Sequence, residues 1–136
     1  MPSTSKNPKY NFLVVDDDPD LASIIEEKLK TFASCRTCSS GHEAIEVLKN
    51  NAFDAVITDY IMQGGDGGSL AHFCANNDIP VLVVSSFPET QIRPYLPEGS
   101  SFVNKFHAVR GQLLQDTLTE LLKLRTIGTI SLATPK

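Results

Sequence analysis

Four apolar runs in this sequence end on a residue able to do chemistry. Residues 11–15 (NFLVV) stop at Asp16-Asp17-Asp18-Pro19, residues 55–58 (AVIT) at Asp59, residues 81–84 (VLVV) at Ser85-Ser86, and residues 102–104 (FVN) at Lys105. If these runs are neighbouring strands pointing the same way, Asp16, Asp17, Asp59, Ser85 and Lys105 arrive at one rim. Carboxylates brought together repel and lose hydration unless a cation joins them. A hard, all-oxygen site of this kind suits Mg²⁺, which keeps several waters and takes one or two carboxylates together with phosphate oxygens. An aspartate is already ionised at neutral pH, so as a nucleophile it needs no general base. An ammonium beside it would neutralise the charge on an incoming phosphoryl group. Blander roles exist for each residue. Asp16 and Asp17 could form a helix-capping turn, although Asp18 already provides one; Ser85 could satisfy local backbone, and Phe102 could be simple core.

The elements that would position these groups are readable from periodicity. After the first run, Asp18 can cap a helix, Pro19 suits its first turn, and Leu21, Ile24, Ile25, Leu29 and Phe32 recur at helical spacing. Residues 34–38 form a short strand, and Ser40-Gly41 opens a helix burying Ala44, Ile45 and Leu48 that closes at Asn50-Asn51. Asp59 leads into a loop holding Gly64, Gly65, Gly67 and Gly68, followed by a short helix over about residues 69–76. Residues 87–99 carry Pro88, Pro94 and Pro97, so any helix there is short or distorted. From 107 to 125 the spacing of Val109, Leu113, Leu114, Leu118, Leu121 and Leu122 predicts one longer helix. Five apolar strands separated by helices predict a doubly wound α/β fold: a five-stranded parallel sheet with helices on both faces.

A chain of 136 residues, 41% hydrophobic, supports one core rather than two. Residues 1–9 read as a flexible lead, 10–125 as the domain, and 126–136 as a tail that is either unstructured or a weak strand. A net charge of −4 argues against nucleic acid or an anionic membrane as partner. No apolar run reaches the roughly 18–20 residues of a spanning helix, and the opening residues lack an apolar signal core, so a cytoplasmic protein is expected. Cys35 and Cys38 have a C-x-x-C spacing, but on a strand residues three apart face opposite ways, so they read as ordinary thiols rather than a metal pair.

Asp16-Asp17 after the first strand, Asp59 after the third, Ser85 after the fourth and Lys105 after the fifth together resemble the response-regulator receiver family of two-component signalling, over about residues 10–125. That resemblance implies the flavodoxin-like strand order 2-1-3-4-5. It implies Asp59 as phosphoacceptor and Mg²⁺ held by Asp17 and Asp59, with Asp16 acting mainly through metal-bound water and the backbone carbonyl of Ile61 as a further ligand. It also implies Lys105 pairing with the phosphoryl group, Ser85 hydrogen-bonding it, Phe102 as the aromatic switch partnered with Ser85, and Asp66-Gly67 as the turn closing the acceptor loop. The implied donor is a phosphohistidine on a sensor histidine kinase or a histidine phosphotransfer protein, and the implied output is a downstream protein target. Such a domain is not an enzyme in the ordinary sense, since it catalyses only its own phosphorylation and dephosphorylation. With no output domain legible, a stand-alone receiver is expected, the alternative being a piece of something longer.

This sequence departs from the family pattern at three places. Gln63 and two glycines follow Met62 where proline is usual, so a looser loop is expected. Phe106 stands where the family has a cis proline after its lysine; a cis bond before a non-proline residue costs about 2.5–4 kcal/mol, so a trans bond and a re-routed Lys105 are expected. The proline-bearing fourth crossover alters the usual signalling face. Two rival functions follow. A haloacid-dehalogenase-type phosphatase would use the aspartates after strand one, but Asp20 stands where its Thr or Val belongs. A receiver fold that has lost phosphorylation and serves as a binding module is the other.

Overall fold

The computed structural model describes residues 10–62 and 67–133, with side chains through Lys123. The lead 1–9, the loop residues Gln63, Gly64, Gly65 and Asp66, and the last three residues of the tail lie outside the described residues. Strand β1 (Tyr10–Val15) is the hub: Phe12, Leu13, Val14 and Val15 each expose 1% or less, as a run covered on both faces must. It is followed by helix α1 (Pro19–Leu29), β2 (Ala33–Cys38), α2 (Gly41–Asn50), β3 (Ala55–Asp59), α3 (Gly67–Asn76) and β4 (Val81–Ser85). After a short α4 (Glu89–Ile92) come β5 (Ser101–Asn104), α5 (Lys105–Ala108) and α6 (Leu113–Ala133).

All strand pairs are parallel and the order is β2-β1-β3-β4-β5, the doubly wound arrangement. Strand alternation splits the core in two. Phe12, Val14, Ile57, Leu82, Val84 and Val103 face α1 and α6 through Ile25, Leu29, Leu114 and Leu118. Leu13, Val15, Val56, Val81 and Val83 face α2 and α3 through Ala44, Leu48, Leu70 and Cys74. Because the chain runs outward from β1 to β2 and then returns past β1 to β3, a crevice opens beyond the carboxyl ends of β1 and β3, where such sheets bind ligands.

Asp18 caps α1, accepting from the N–H groups of Asp20 and Leu21, with Pro19 in the first turn, as its sequence signals indicated. The inward stripe of α1 is Ala22, Ile25 and Leu29, so Ile24 stays 41% exposed instead of joining the core. The fourth crossover is short, as its prolines require: α4 spans one turn and gives way to a 3-10 turn at Arg93–Tyr95 containing Pro94, which has no N–H to donate.

The last helix differs from expectation at both ends. Gly111 adopts φ +72, a left-handed conformation that interrupts the predicted helix between α5 and α6 and leaves Leu113 45% exposed. The Lys28 ammonium donates to the Gly111 carbonyl and holds that turn against α1. At the other end α6 continues to Ala133, through residues whose β-branched composition suggested tail or strand. Each poor helix former costs less than about 0.7 kcal/mol and Gly128 about 1, so an established helix extends across them. No helix among the described residues is long and apolar enough to cross a membrane.

The cysteines behave as ordinary thiols. Cys38 packs into the α2/α3 side and Cys35 against the α1/α6 side, opposite faces of one strand. Burial, with help from the Glu26 charge, pushes Cys35 up to about 12; burial and Glu43 push Cys38 to about 11, and burial pushes Cys74 to about 12. None has thiolate character near neutral pH.

Candidate functional site

Strands β1, β3, β4 and β5 each end at the rim predicted from the sequence. Asp59 is the last residue of β3 and is 8% exposed. Its Oδ1 accepts from the Tyr60 N–H at 2.8 Å, and its Oδ2 accepts from the Lys105 ammonium at 2.9 Å. Asp16 follows β1, buried to 4%; its Oδ1 accepts from the Asp18 N–H at 2.9 Å, and its Oδ2 lies 3.7 Å from Lys105 Nζ. Asp17 is exposed, yet one carboxylate oxygen from each of Asp16, Asp17 and Asp59 falls within 4.8 Å of the others. A groove lined by Asp16, Asp17, Ser23, Glu26, Ser39 and Glu43 opens beside them.

The charges are unequal: among the described residues, three carboxylates face one ammonium. Burial raises Asp16 above the usual carboxylate range; the Asp18 N–H pulls it back, and the Asp59 charge raises it again. Lys105 is the reverse case. Burial by itself would lower it, but the hydrogen bond to Asp59 and the charges of Asp59, Asp16 and Asp17 together raise it. An uncompensated cluster of oxygen donors, one of them exposed on an open groove, fits a hydrated divalent cation such as Mg²⁺.

The start of α3 approaches the end of β3 as closely as only glycine permits. A Cβ on Gly67 would stand 2.0 Å from the Asp59 carbonyl oxygen and 2.8 Å from the Tyr60 Cα. The Gly67 N–H donates to the Tyr60 carbonyl at 2.7 Å, tying the start of α3 to the residue after β3. The Thr58 hydroxyl, fully buried, donates to the Asp59 carbonyl at 2.8 Å.

Lys105 reaches the site without the family's cis proline, as Phe106 led us to expect. The peptide before Phe106 is trans, and Lys105 opens the helical turn of α5, yet its ammonium still lands on Asp59. Ser85 is 2% exposed at the end of β4, one residue beyond Val84, which is level with Asp59; its Oγ accepts from the Phe87 N–H at 3.0 Å, leaving its proton to donate elsewhere. Phe102 is half-buried against the α2/α3 side of the core. Ile61 and Phe87 are 52% and 44% exposed, in the loops that follow Asp59 and Ser85. Thus Asp16, Asp17, Asp59 and Lys105 are in one cluster, Ser85 is placed at its edge by sheet register, and Phe102 sits within the sheet layer. Sequence reasoning missed Thr58, and it missed Asn104, whose side chain caps α5. For Asn104 a signal was present, since Asn is among the preferred N-cap residues and here it separates a strand from a helix start.

The sequence profile of the response regulator receiver domain matches residues 12–105. The chain belongs to the response regulator receiver domain family. Among curated proteins it is similar to the heme response regulator HssR of Staphylococcus aureus, 36% identical over 76 residues that cover 54% of this chain and 34% of that protein. The chain thus spans about a third of the curated relatives it matches. Among solved structures, a response regulator receiver protein from Sinorhizobium medicae WSM419 is 26% identical with a TM-score of 0.76, covering 85% of this chain and 96% of that one. The signal receiver domain of an HD domain-containing protein from Pseudomonas fluorescens Pf-5 shares the fold at 14% identity, with a TM-score of 0.79 over 90% of this chain and 93% of its own.

Proposed function

We propose that the chain is a phosphoacceptor: Asp59 takes a phosphoryl group from a phosphohistidine on a sensor kinase or phosphotransfer protein in the cytoplasm, and the modification alters a surface read by a protein target. The observation that carries this is the 2.9 Å contact of Lys105 Nζ with Asp59 Oδ2 inside a cluster of three carboxylates. An Asp59 oxygen forms the new P–O bond as the donor P–N bond breaks, and the departing imidazole keeps a proton. Lys105 is placed to neutralise charge on the transferred group, and the Ser85 hydroxyl is free to donate to it. Asp16, Asp17, Asp59 and the carbonyl of Ile61 would hold Mg²⁺, which when bound supplies the positive charge that lets a phosphoryl group approach three acids. Phe102 and Ser85 would carry the change from the site toward β5. The reach of Lys105 despite Phe106 favours this reading over a phosphorylation-independent binding module.

Incubation with phosphoramidate and Mg²⁺ tests the proposal: intact mass rises by one phosphoryl group, and a chelator prevents the rise. An unchanged mass under saturating donor and metal overturns it.

Two further outcomes are expected. Mg²⁺ stabilises the folded chain by about 2.7 kcal/mol at a hundredfold excess over its Kd, because only the folded state gathers the acids. Exposed Asp17 contributes little packing, so Asp17→Asn should fold normally and lose most of that thermal shift; a variant that keeps it removes Asp17 from the metal site. Once formed, the aspartyl phosphate should persist for minutes or longer, because Ile61 and Phe87, in the segments that follow Asp59 and Ser85, are apolar and themselves carry no group to orient an attacking water. Release within seconds, followed by time-resolved mass spectrometry, would count against that assignment.

A further inference from the structure

We infer that Asn104 is a positioning residue for Lys105, acting through the turn that launches it; this rests on the phosphoacceptor reading above. Asn104 closes β5 and is level with Ser85 across the sheet. Its backbone is extended (φ −62, ψ 137), while Lys105 behind it opens a four-residue helix. The change of direction between the two is fixed by the Asn104 side chain, whose Oδ1 accepts from the Phe106 N–H at 2.8 Å.

That bond brackets Lys105: its donor and its acceptor lie on the residues either side. The backbone from which the ammonium must reach both Asp59 and Asp16 is thereby held in one orientation. The Val109 N–H to Lys105 carbonyl bond, at 3.2 Å, holds the same turn from its other end. Beyond it, Phe106 is 56% exposed and covered on one side by the Arg110 guanidinium, 4.6 Å from the ring centroid, so no core packing anchors this turn through Phe106. The far end of the turn is held by the bond from the Val109 N–H and by fully buried Ala108, and the cap is the side-chain restraint at the end from which the lysine departs. Lys105 is itself only partly enclosed, with its side chain 20% exposed, so a freed backbone lets the ammonium swing to solvent. Two other rim strands end the same way, with Asp16 Oδ1 on the Asp18 N–H and Ser85 Oγ on the Phe87 N–H. In those two the capping side chain is itself a site group, whereas Asn104 places its neighbour.

The test uses the full chain in single and double variants. Asn104→Ala should slow loading from phosphoramidate about tenfold without weakening the apparent Mg²⁺ affinity, because the metal acids themselves remain and lose only a competing ammonium. Asn104→Ser, which keeps a capping oxygen, should restore the rate to within about twofold. In a Lys105→Ala background, Asn104→Ala should have no further effect on the rate, since it acts only through the ammonium; a general structural role would make the two losses multiply. The Lys105 ammonium NMR signal gives a readout independent of phosphate: protected from exchange in wild type and Asn104→Ser, broadened in Asn104→Ala. Wild-type loading and a wild-type ammonium signal in Asn104→Ala overturn the inference, as does an equal slowing in both backgrounds. If the wild-type chain takes no phosphate, the phosphoacceptor reading falls, and the ammonium signal alone still decides whether Asn104 places Lys105.

Discussion

Asp59→Asn takes up no phosphoryl group under conditions that load the wild-type chain, a loss on the order of a thousandfold or more in rate. The substitution exchanges one carboxylate oxygen for an amide nitrogen with almost no change in shape, so the fold has no packing reason to fail. What disappears is the charged nucleophile, together with one of three mutually repelling acids. Lys105 keeps a partner in Asp16, 3.7 Å away, so its ammonium is not left unpaired by the exchange. The variant therefore melts no earlier than wild type in the absence of metal, which separates loss of the acceptor from loss of structure. A variant that still gains phosphoryl mass places the acceptor on another residue.

Gly67→Ala has the second large effect, on stability as well as chemistry. The added methyl would meet the Asp59 carbonyl oxygen at 2.0 Å and two more main-chain atoms within 2.9 Å. These are backbone atoms at the end of a central strand, not a flexible side-chain tip that can swing aside. Either α3 retreats from β3 or the end of β3 bends, and both disturb the position of Asp59. Overpacking of this kind costs roughly 1–3 kcal/mol, and contact with backbone puts it at the upper end, so Tm should fall on the order of 10 °C. Phosphoryl loading should slow in the fraction that remains folded. Melting and loading both at wild-type values would mean the loop relaxes around the methyl at little cost.

The sheet and the acid rim were legible in the sequence because both are written in strong local signals. Residues 12–15, 55–57 and 81–84 are apolar on consecutive positions, as a strand covered on both faces requires. A parallel sheet then forces the residues that end those strands onto one edge, so Asp16, Asp59 and Ser85 could be placed before any coordinates. Where hydrophobic spacing competed with backbone geometry, spacing was the weaker guide. Val109 and Leu113 fit a continuous helical stripe, but Gly111 in a left-handed conformation divides it. Ile24 has the spacing of a core residue and faces solvent, because the stripe that meets β1 is set one position away, at Ile25. The β-branched residues after Thr126 carried no helical pattern, and their helix is continued by backbone hydrogen bonding instead.

The route of Lys105 was legible only in part. Phe106 correctly excluded a cis bond on energetic grounds, but which path the chain takes instead depends on a side-chain hydrogen bond between Asn104 and Phe106 that no periodicity encodes. The hydroxyl of Thr58 on the Asp59 carbonyl is of the same kind, one polar atom inside an apolar strand whose partner is the main chain of the next residue.

Chemical trapping of the modified residue tests the central assignment most directly. Treating the phosphoryl-loaded chain with borohydride reduces an aspartyl phosphate, but not a free carboxylate, to homoserine, and peptide mass mapping then locates it. Homoserine at position 59, dependent on both donor and Mg²⁺, is the expected result. Homoserine at another aspartate, or phosphate retained on a residue that borohydride leaves untouched, contradicts it.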